Sequence, residues 1–439
     1  MVLENSLARR LQASKKKPDN SQYARAQTRA QALQLLILTQ FFPPDFAATG
    51  QLIEELATQL GQQGLAVNVF TGQPGYAFEK GEAPTTERKG NVSVRRSRIS
   101  QLLSNRIRGK AINGALYTLR AIMHLAKNAK RYNVLMVTTA PPFLSVIAYL
   151  ANLFFNLPYV CLLYDLYPDI AVELDVVKGT HPIAKLWRSL NRKIWRRSAG
   201  IIVLSDSMRD RIVGHCPDVA DKISVIHSWS DDEKIVPIPK EDNWFAQEHD
   251  LVVPFVVLYS GNMGRCHDVD TIFHAACRLR DEPILFVCIG GGAKRSPLIE
   301  AVEAEGLTNF CFLPYQEKAV LPYSLTAGDV SLVSVADGME SLVAPSKLYP
   351  AMATGRPIAA ICPSGSYLGT LLRDAEGGCA FENGDAKGLA DYIRYLSRDR
   401  QESERVGAAG RSHMQAHFTP QIISRHYVEV LEQAHKCVK

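Results

Sequence analysis

Apolar residues recur along the chain in short unbroken runs separated by helix-spaced stretches. LQLLILT (33–39) reads as a buried strand, followed by the loop FFPPDFAATG and a helix over LIEELATQLGQQG. LAVNVFTG and VSVRRSR read as strands, 107–132 as a helical region, and NVLMVTTA as a strand. FLSVIAYLANLFFNLPYVCLL is interrupted by Asn152, Asn156 and Pro158, so it reads as a buried helix and then a strand rather than a membrane span. KLWRSLNRKIWRRS predicts a helix, and AGIIVLS and KISVIHSW predict strands.

The stretch DDEKIVPIPKEDNWFAQEHD is polar, holds two prolines and shows little periodicity, so it reads as a linker. The pattern then restarts. PFVVLYSGN, PILFVCIGGG, NFCFLPY, DVSLVSV, RPIAAI and GGCAFE predict strands, with helices such as DVDTIFHAACRL and SPLIEAVEAEG between them. The last helices are expected over 386–435. Strands alternating with helices imply parallel sheets covered on both faces. Two such halves in succession predict an α/β fold of two Rossmann-like, doubly wound domains facing a cleft. The expected boundaries are a basic arm over 1–31, a first domain over 32–230, a linker over 231–251 and a second domain over 252–415. A closing helix over 416–439 is expected to pack back on the first domain.

Charge adds a division that hydropathy does not show. The net charge is +6, yet the acids and bases are unevenly placed. The first 30 residues carry seven bases and two acids, and read as a disordered arm. No acid occurs from Arg88 to Tyr164 against twelve bases, whereas 251–420 holds nineteen acids to fifteen bases. The two domains are therefore expected to meet different partners. The nine cysteines form no CxxC pair, which points to thiols rather than a disulfide framework or a zinc site. No hydrophobic leader segment is seen at the start, and the protein is expected to be cytoplasmic, with the inner face of the cytoplasmic membrane as a further place for it.

Loops that follow strands carry the candidate chemistry, because ligands of open α/β sheets sit at the carboxyl ends of strands. Gly50 precedes a helix and would let backbone N–H groups approach an anion, or simply turn the chain. Asp165, in LLYDLYPD, would orient a hydroxyl or accept its proton, or else cap a helix. In YSGNMGRCHD, Gly261, Asn262, Gly264 and Arg265 suit a phosphate cradle, with His267 as a further candidate. Arg265 as a solvated charge and His267 as a cap are the alternatives. Gly290, Gly291 and Gly292 follow a strand in the same way.

SKLYPAMATGRP reads as a helix start with Ser346 as N-cap, Lys347 in the first turn and Pro350 at the fourth helical position. A cation at a helix N-terminus opposes the macrodipole by roughly 0.3–1 kcal/mol, a cost that makes sense if an anion binds there. The alternative is a lysine extended into solvent.

Taken in order, FFPPDFAATG, APPFLSVIA, LYDLYPD, YSGNMGRCHD, CIGGGAKR, FLPYQEKAVLP and VAPSKLYPAMATGRPIAA resemble the family-4 glycosyltransferases of the GT-B fold. The likeness is to the colanic-acid and O-antigen fucosamine-transferase-like subgroup of bacterial polysaccharide enzymes. The resemblance implies transfer of a sugar from a nucleoside-diphosphate donor, with retention, to a saccharide or polyprenyl-linked acceptor. It implies no cofactor and no obligatory metal. By position, Arg265, Ser346, Lys347 and Gly291 would hold the donor diphosphate. Tyr315 would lie near the base, Gly50 would line the phosphate from the first domain, and Asp165 would face the acceptor. Many members carry two glutamates eight residues apart where this chain has Leu342 and Pro350. A carboxylate for the donor ribose is therefore missing, which keeps a catalytically inactive GT-B partner protein in view. A GT-B sugar-nucleotide epimerase is a further alternative, disfavoured by the scarcity of carboxylates in these loops. No G-x-G-x-x-G follows the first strand, which argues against a dinucleotide dehydrogenase.

With a lipid-linked acceptor implied, the helix at 185–197 gains a use. Lys185, Trp187, Arg188, Arg192, Trp195 and Arg196 are expected to dock on an anionic membrane surface. No nucleic-acid recognition motif is present, and no nucleic-acid partner is expected.

Overall fold

The structure, a computed structural model, describes residues 33–45, 48–74, 83–97 and 107–437; the basic arm read over 1–31 lies outside them. Its strands form two sheets, of eight and six strands. The chain divides into two compact units. One runs to Met136 and adds Ala151–Pro158 and His435–Lys439; the other holds Val137–Leu150 and Tyr159–Ala434.

In the first unit, β1 (Gln34–Leu38), β2 (Ala66–Thr71), β3 (Thr86–Lys89), β4 (Val92–Arg96) and β5 (Val134–Val137) lie in the order β3-β4-β2-β1-β5. The parallel pairs set Leu36 against Asn68 and Asn68 against Ser93. β5 is buried at every position and β1 at all but its first, as expected of parallel strands covered on both faces. β3 is the exception: antiparallel to β4, exposed throughout and polar, it shows no hydrophobic period that would predict it. The helix Ala48–Gln62 buries Ile53, Leu56, Ala57 and Leu60, spaced 3, 1 and 3 apart on one face.

In the second unit, β6 (Tyr159–Leu163), β7 (Gly200–Val203) and β8 (Ile223–Val225) are parallel neighbours. The six-stranded sheet comprises β9 (Phe255–Ser260), β10 (Ile284–Ile289), β11 (Phe310–Leu313), β12 (Val330–Ser334), β13 (Ile358–Ile361) and β14 (Gly378–Phe381). Its order is β11-β10-β9-β12-β13-β14, with each pair parallel. The order reverses between β9 and β12. That is the switch point at which such sheets open a crevice for ligands. The fold is thus α/β with two doubly wound parallel sheets, β3 being the antiparallel edge.

Several local readings need correction. The helix Leu144–Phe155 is buried on one face only: Leu144, Ile147, Ala148 and Ala151 are in the core, whereas Leu150, Leu153, Phe154 and Phe155 are exposed, Phe154 at 75%. The stretch read as linker, 231–251, carries a helix over Trp244–Glu248. Asn243 and Phe245 there are buried, and Lys240 pairs with Asp329 at 2.7 Å. The helix Pro420–Lys436 lies along β7, where a Cβ on Gly200 would stand 3.2 Å from Val430. Tight packing accounts for that glycine.

Candidate donor site

Four loops of the second unit converge beyond β9 and β12, and glycines set how closely they approach. Gly261 follows β9 with φ +128°, a conformation glycine adopts without strain, and a Cβ there would stand 2.7 Å from Lys347 Cε. Gly290 follows β10 with φ +129°, and its Cβ would overlap the Gly261 carbonyl. Gly292, at φ +127°, is similarly crowded by Asn262 and the Met263 carbonyl, while at Gly264 a Cβ would meet Asn262 Nδ2 at 2.8 Å. Backbone bonds tie the loops: Met263 N–H donates to Gly291 O at 2.7 Å and Lys294 N–H to Met263 O at 2.9 Å. The predicted cradle of Gly261, Asn262, Gly264 and Gly291 therefore forms one folded unit.

Lys347 enters this cradle through the gap that Gly261 leaves. Its ammonium donates to the Tyr259 hydroxyl at 2.5 Å and to Asn262 O at 2.8 Å, and Tyr259 in turn donates to Asn262 O at 3.0 Å. His267 stands alongside. Its Nδ1 lies 2.8 Å from Ser334 O, and a carbonyl only accepts, so Nδ1 carries the proton. The lone pair of Nε2 then faces Lys347 Nζ at 3.4 Å. Burial brings Lys347 down from its ordinary 10.5 to about 7. Burial, and then the Lys347 charge, hold His267 down at about 3, so its ring is neutral. His267 is thus a partner of Lys347 rather than the cap considered for it. Its neighbour Asp268 accepts from Thr271 N at 2.9 Å, in the first turn of the helix Asp270–Arg278.

Arg265 is exposed on the same loop, and it makes no ion pair or hydrogen bond with a described residue. Its guanidinium is free to fork an oxyanion. Tyr315 lays its ring over the next loop: a Cβ on Gly291 would stand 3.0 Å from it, and one on Gly290 3.3 Å. Lys294 was not singled out in the sequence, although two bases directly follow the glycine run. Its charge is felt at both Cys266 and His267.

The helix reading of SKLYPAMATG changes. The helix is Leu348–Ala353, with Lys347 as its N-cap residue and no side-chain cap; Ser346 lies in the turn before it. Pro350 is then the third helical residue, where the backbone N–H lacks an intrahelical partner in any case. The ring costs no hydrogen bond: Ala351 N–H donates to Lys347 O at 3.1 Å, past the proline. With only six residues, this helix makes Lys347 a side-chain cation threaded under a loop, rather than a charge set against a long dipole.

Asp165 lies at the end of β6, where it forms an antiparallel bridge with Val343. Leu166 N–H donates to Leu342 O at 3.2 Å, and Leu342 is fully buried. The first of the two positions that hold glutamate in many relatives is here a core leucine carrying a backbone contact. This contact brings Asp165 to the segment leading into Lys347, and its charge is felt at Cys266 beside Arg265. Burial raises its carboxyl to about 6. A small cavity beside it is lined by Thr139, Tyr167, Trp187, Asn191 and Trp195. In the same stretch Glu340 has a buried carboxylate oxygen, Oε2, with no hydrogen-bond partner.

That cavity revises the predicted membrane helix, Pro182–Arg197. Trp195 is buried, and Trp187 is stacked between Phe143 at 5.1 Å and Tyr167 at 6.0 Å. Arg188 is held by the buried Asp169 at 2.7 Å, and Arg196 by Asp218 at 2.8 Å. Asp169 is therefore an ion-pair anchor. Of the predicted set, Lys185 is exposed and Arg192 half-buried, and Ile183 and Leu186 are exposed beside them. Sequence spacing gives the helix but not which of its faces the domain covers.

Gly50 lies in the first unit, inside the helix Ala48–Gln62 rather than before it. A Cβ there would stand 3.0 Å from Phe41 C and 3.1 Å from Phe42 N, so close backbone approach requires the glycine. Among the described residues no group of three or more His, Cys, Asp or Glu is placed to hold a metal ion.

Known proteins bear on this arrangement. The family model described as Glycosyltransferase Family 4 matches residues 49–234, and that of Glycosyl transferases group 1 matches 241–413. The probable glycosyltransferase WbjE of Pseudomonas aeruginosa is 25% identical over 325 residues, 72% of this chain and 79% of WbjE. The putative colanic acid biosynthesis glycosyl transferase WcaI of Escherichia coli K12 is 35% identical over 122 residues, 28% of this chain and 30% of its own. Among solved structures, sucrose-phosphate synthase from Thermosynechococcus elongatus superposes with a TM-score of 0.73 at 17% identity, covering 92% of this chain and 100% of that one. Anabaena HepE in complex with UDP and glucose gives 0.68 at 16%, covering 91% and 99%.

Proposed function

The chain belongs to the family-4 glycosyltransferases of the GT-B fold, and from that membership we propose that it transfers a sugar, with retention, from a nucleoside-diphosphate donor to a saccharide acceptor in polysaccharide synthesis. The observation that carries this reading is the Lys347 ammonium threaded past Gly261 into a cradle of glycine loops, with unpaired Arg265 beside it. Both cations would grip the diphosphate, with backbone groups around Ser346, Asn262 and Gly291 supplying donors. Tyr315 would lie against the base, and Gly50 would approach the phosphates from the first unit. HepE is described with UDP, which makes UDP the first nucleotide to try.

In the transfer, the bond between the donor anomeric carbon and the diphosphate oxygen breaks as the acceptor oxygen bonds to that carbon from the same side. The acceptor hydroxyl loses its proton to Asp165 or to the departing phosphate oxygen. Asp165, with its carboxyl near pKa 6 and the Trp187–Asn191–Trp195 cavity beside it, suits the orientation of that hydroxyl. Trp187 and Trp195 give that cavity an apolar wall.

WcaI is described as a putative colanic acid biosynthesis glycosyl transferase, which supports a role in polysaccharide synthesis, and the acceptor we propose is a saccharide, polyprenyl-linked ones included. Exposed Ile183 and Leu186, with Lys185, Arg192 and Lys193 on the same helix, would then rest on an anionic inner leaflet. The test is a transfer assay with UDP-sugars and a polyprenyl-linked saccharide acceptor. Product with the donor's anomeric configuration, lost in Asp165→Asn, supports the reading. Donor binding without transfer to any such acceptor would favour a donor-binding partner protein.

A further inference from the structure

A second cavity lies wholly within the first unit and uses none of the donor-site residues. It encloses about 410 Å³ between the outer strands β3 and β4, the last turns of the helix Ile107–Asn128 and the turn before β5. Pockets for small organic ligands begin near this size. Arg88, Arg95 and Arg131 open onto it, all exposed, and none makes an ion pair with a described residue. The one carboxylate on the lining, Glu87, is engaged by Arg96 at 3.0 Å. From Arg88 to Tyr164 the sequence supplies no other acid.

The charges converge on the far wall. His124 stacks on Phe70 at 4.6 Å, and its Nε2 lies 3.0 Å from the Tyr132 hydroxyl. Burial, and then the charges of Arg95 and Arg131, bring His124 down to about 4, so the ring is neutral and the two arginines supply the local field. Asn68, Ser93 and Leu36, which share the sheet face with Arg95, form a mainly polar floor. Arg131 and Tyr132 stand just before β5, while Arg95, next to last in β4, pairs with Phe70 near the end of β2, so the cavity runs along a face of the sheet. Reaction sites of such sheets occupy the carboxyl edge. An unneutralised arginine cluster is a costly thing to leave without a counter-ion.

We propose that this cavity binds a phosphate ester, its oxyanion forked by Arg95 and Arg131 and its organic body lying over Leu36 and the hydrogen-bonding side chains of Asn68 and Ser93. Guanidinium forks match phosphate oxygens in pairs, and the cavity has room for more than the anion alone. Such an ester could be soluble, as in a sugar phosphate, or the head group of an anionic phospholipid.

The test is calorimetric titration with glucose 1-phosphate, alongside co-sedimentation with phosphatidylglycerol vesicles. The proteins compared are wild type, Lys347→Ala, Arg95→Ala/Arg131→Ala and Arg95→Lys/Arg131→Lys. The Lys347→Ala variant weakens phosphate binding at the donor site, so within that background any further loss caused by the arginine pair belongs to this cavity. The expected result is binding in Lys347→Ala that falls about tenfold or more when both arginines become alanine. The lysine pair, which keeps charge but not the fork and guards against a folding defect, should fall between. Loss of vesicle binding in the alanine pair, without a soluble-ester response in any protein, would assign the site to a lipid head group. An alanine pair that keeps both wild-type ester affinity in the Lys347→Ala background and wild-type vesicle binding overturns the proposal.

Discussion

Lys347 Nζ lies 2.5 Å from the Tyr259 hydroxyl, on the far side of Gly261 from its own helix. With a neutral imidazole at 3.4 Å and no carboxylate among its hydrogen-bond partners, the ammonium sits among dipoles alone. Its pKa near 7 against an ordinary 10.5 means that the unfolded chain holds more proton between those values. The cost of burying the charge is therefore fully present below pH 7, and stability from this residue rises as pH climbs from 7 towards 10.5. A bound diphosphate reverses the preference and restores the proton. Nucleoside-diphosphate binding at pH 8 should take up protons, seen as different calorimetric enthalpies in Tris and HEPES, and should weaken as pH rises above 7. Equal enthalpies in both buffers would contradict a neutral resting lysine.

Gly261 is the position where one methyl group should do the most damage. Alanine there combines positive φ with a Cβ 2.7 Å from the Lys347 stem. Strain of this kind costs on the order of 1–3 kcal/mol. Gly261→Ala should lower the denaturation midpoint and weaken diphosphate binding together. Lys347→Ala should weaken binding while gaining relative stability below pH 7, where the burial cost it removes is fully present, an advantage that fades towards pH 10.5.

Asp165 sets stability against function. Its carboxyl at about 6, compared with an ordinary 3.8, makes its burial cost fully present above pH 6, and that cost fades as pH falls towards 3.8. A gap of this size corresponds to at most ~3 kcal/mol. Asp165→Asn should keep or raise stability at pH 7 in denaturant titration while transfer is lost. The wild-type rate should fall as pH drops below about 6. A stable, active Asp165→Asn enzyme would remove Asp165 from the mechanism.

Pro350 occupies the third helical position, so it displaces no hydrogen bond. Pro350→Ala should shift stability by no more than about 0.5 kcal/mol. Pro350→Glu, which supplies the carboxylate many relatives carry there, should tighten nucleoside-diphosphate binding if that group reaches the donor ribose. Calorimetry on the two variants measures this directly.

The parallel strands were legible because strands buried on both faces leave unbroken apolar runs, as at Leu35–Leu38 and Val134–Val137. β3 was not, because a polar, exposed edge strand carries no period. The donor loops were legible through glycines placed after strands, yet the role of Gly261 was not, since it depends on a side chain 86 residues away in sequence. Trp187 and Trp195 misled for a related reason. Periodicity puts them on one helix with bases, but only tertiary packing shows that Tyr167 and Phe143 cover Trp187 and that Asp169 holds Arg188. Pro350 looked disruptive because the helix was started one residue early.

The most direct test of the donor site is calorimetric titration of wild type and Lys347→Ala with UDP, GDP and ADP, without added metal. The account predicts that one nucleotide binds the wild type selectively and that Lys347→Ala weakens it by about tenfold or more. No binding by any of the three, or binding indifferent to Lys347, would contradict it.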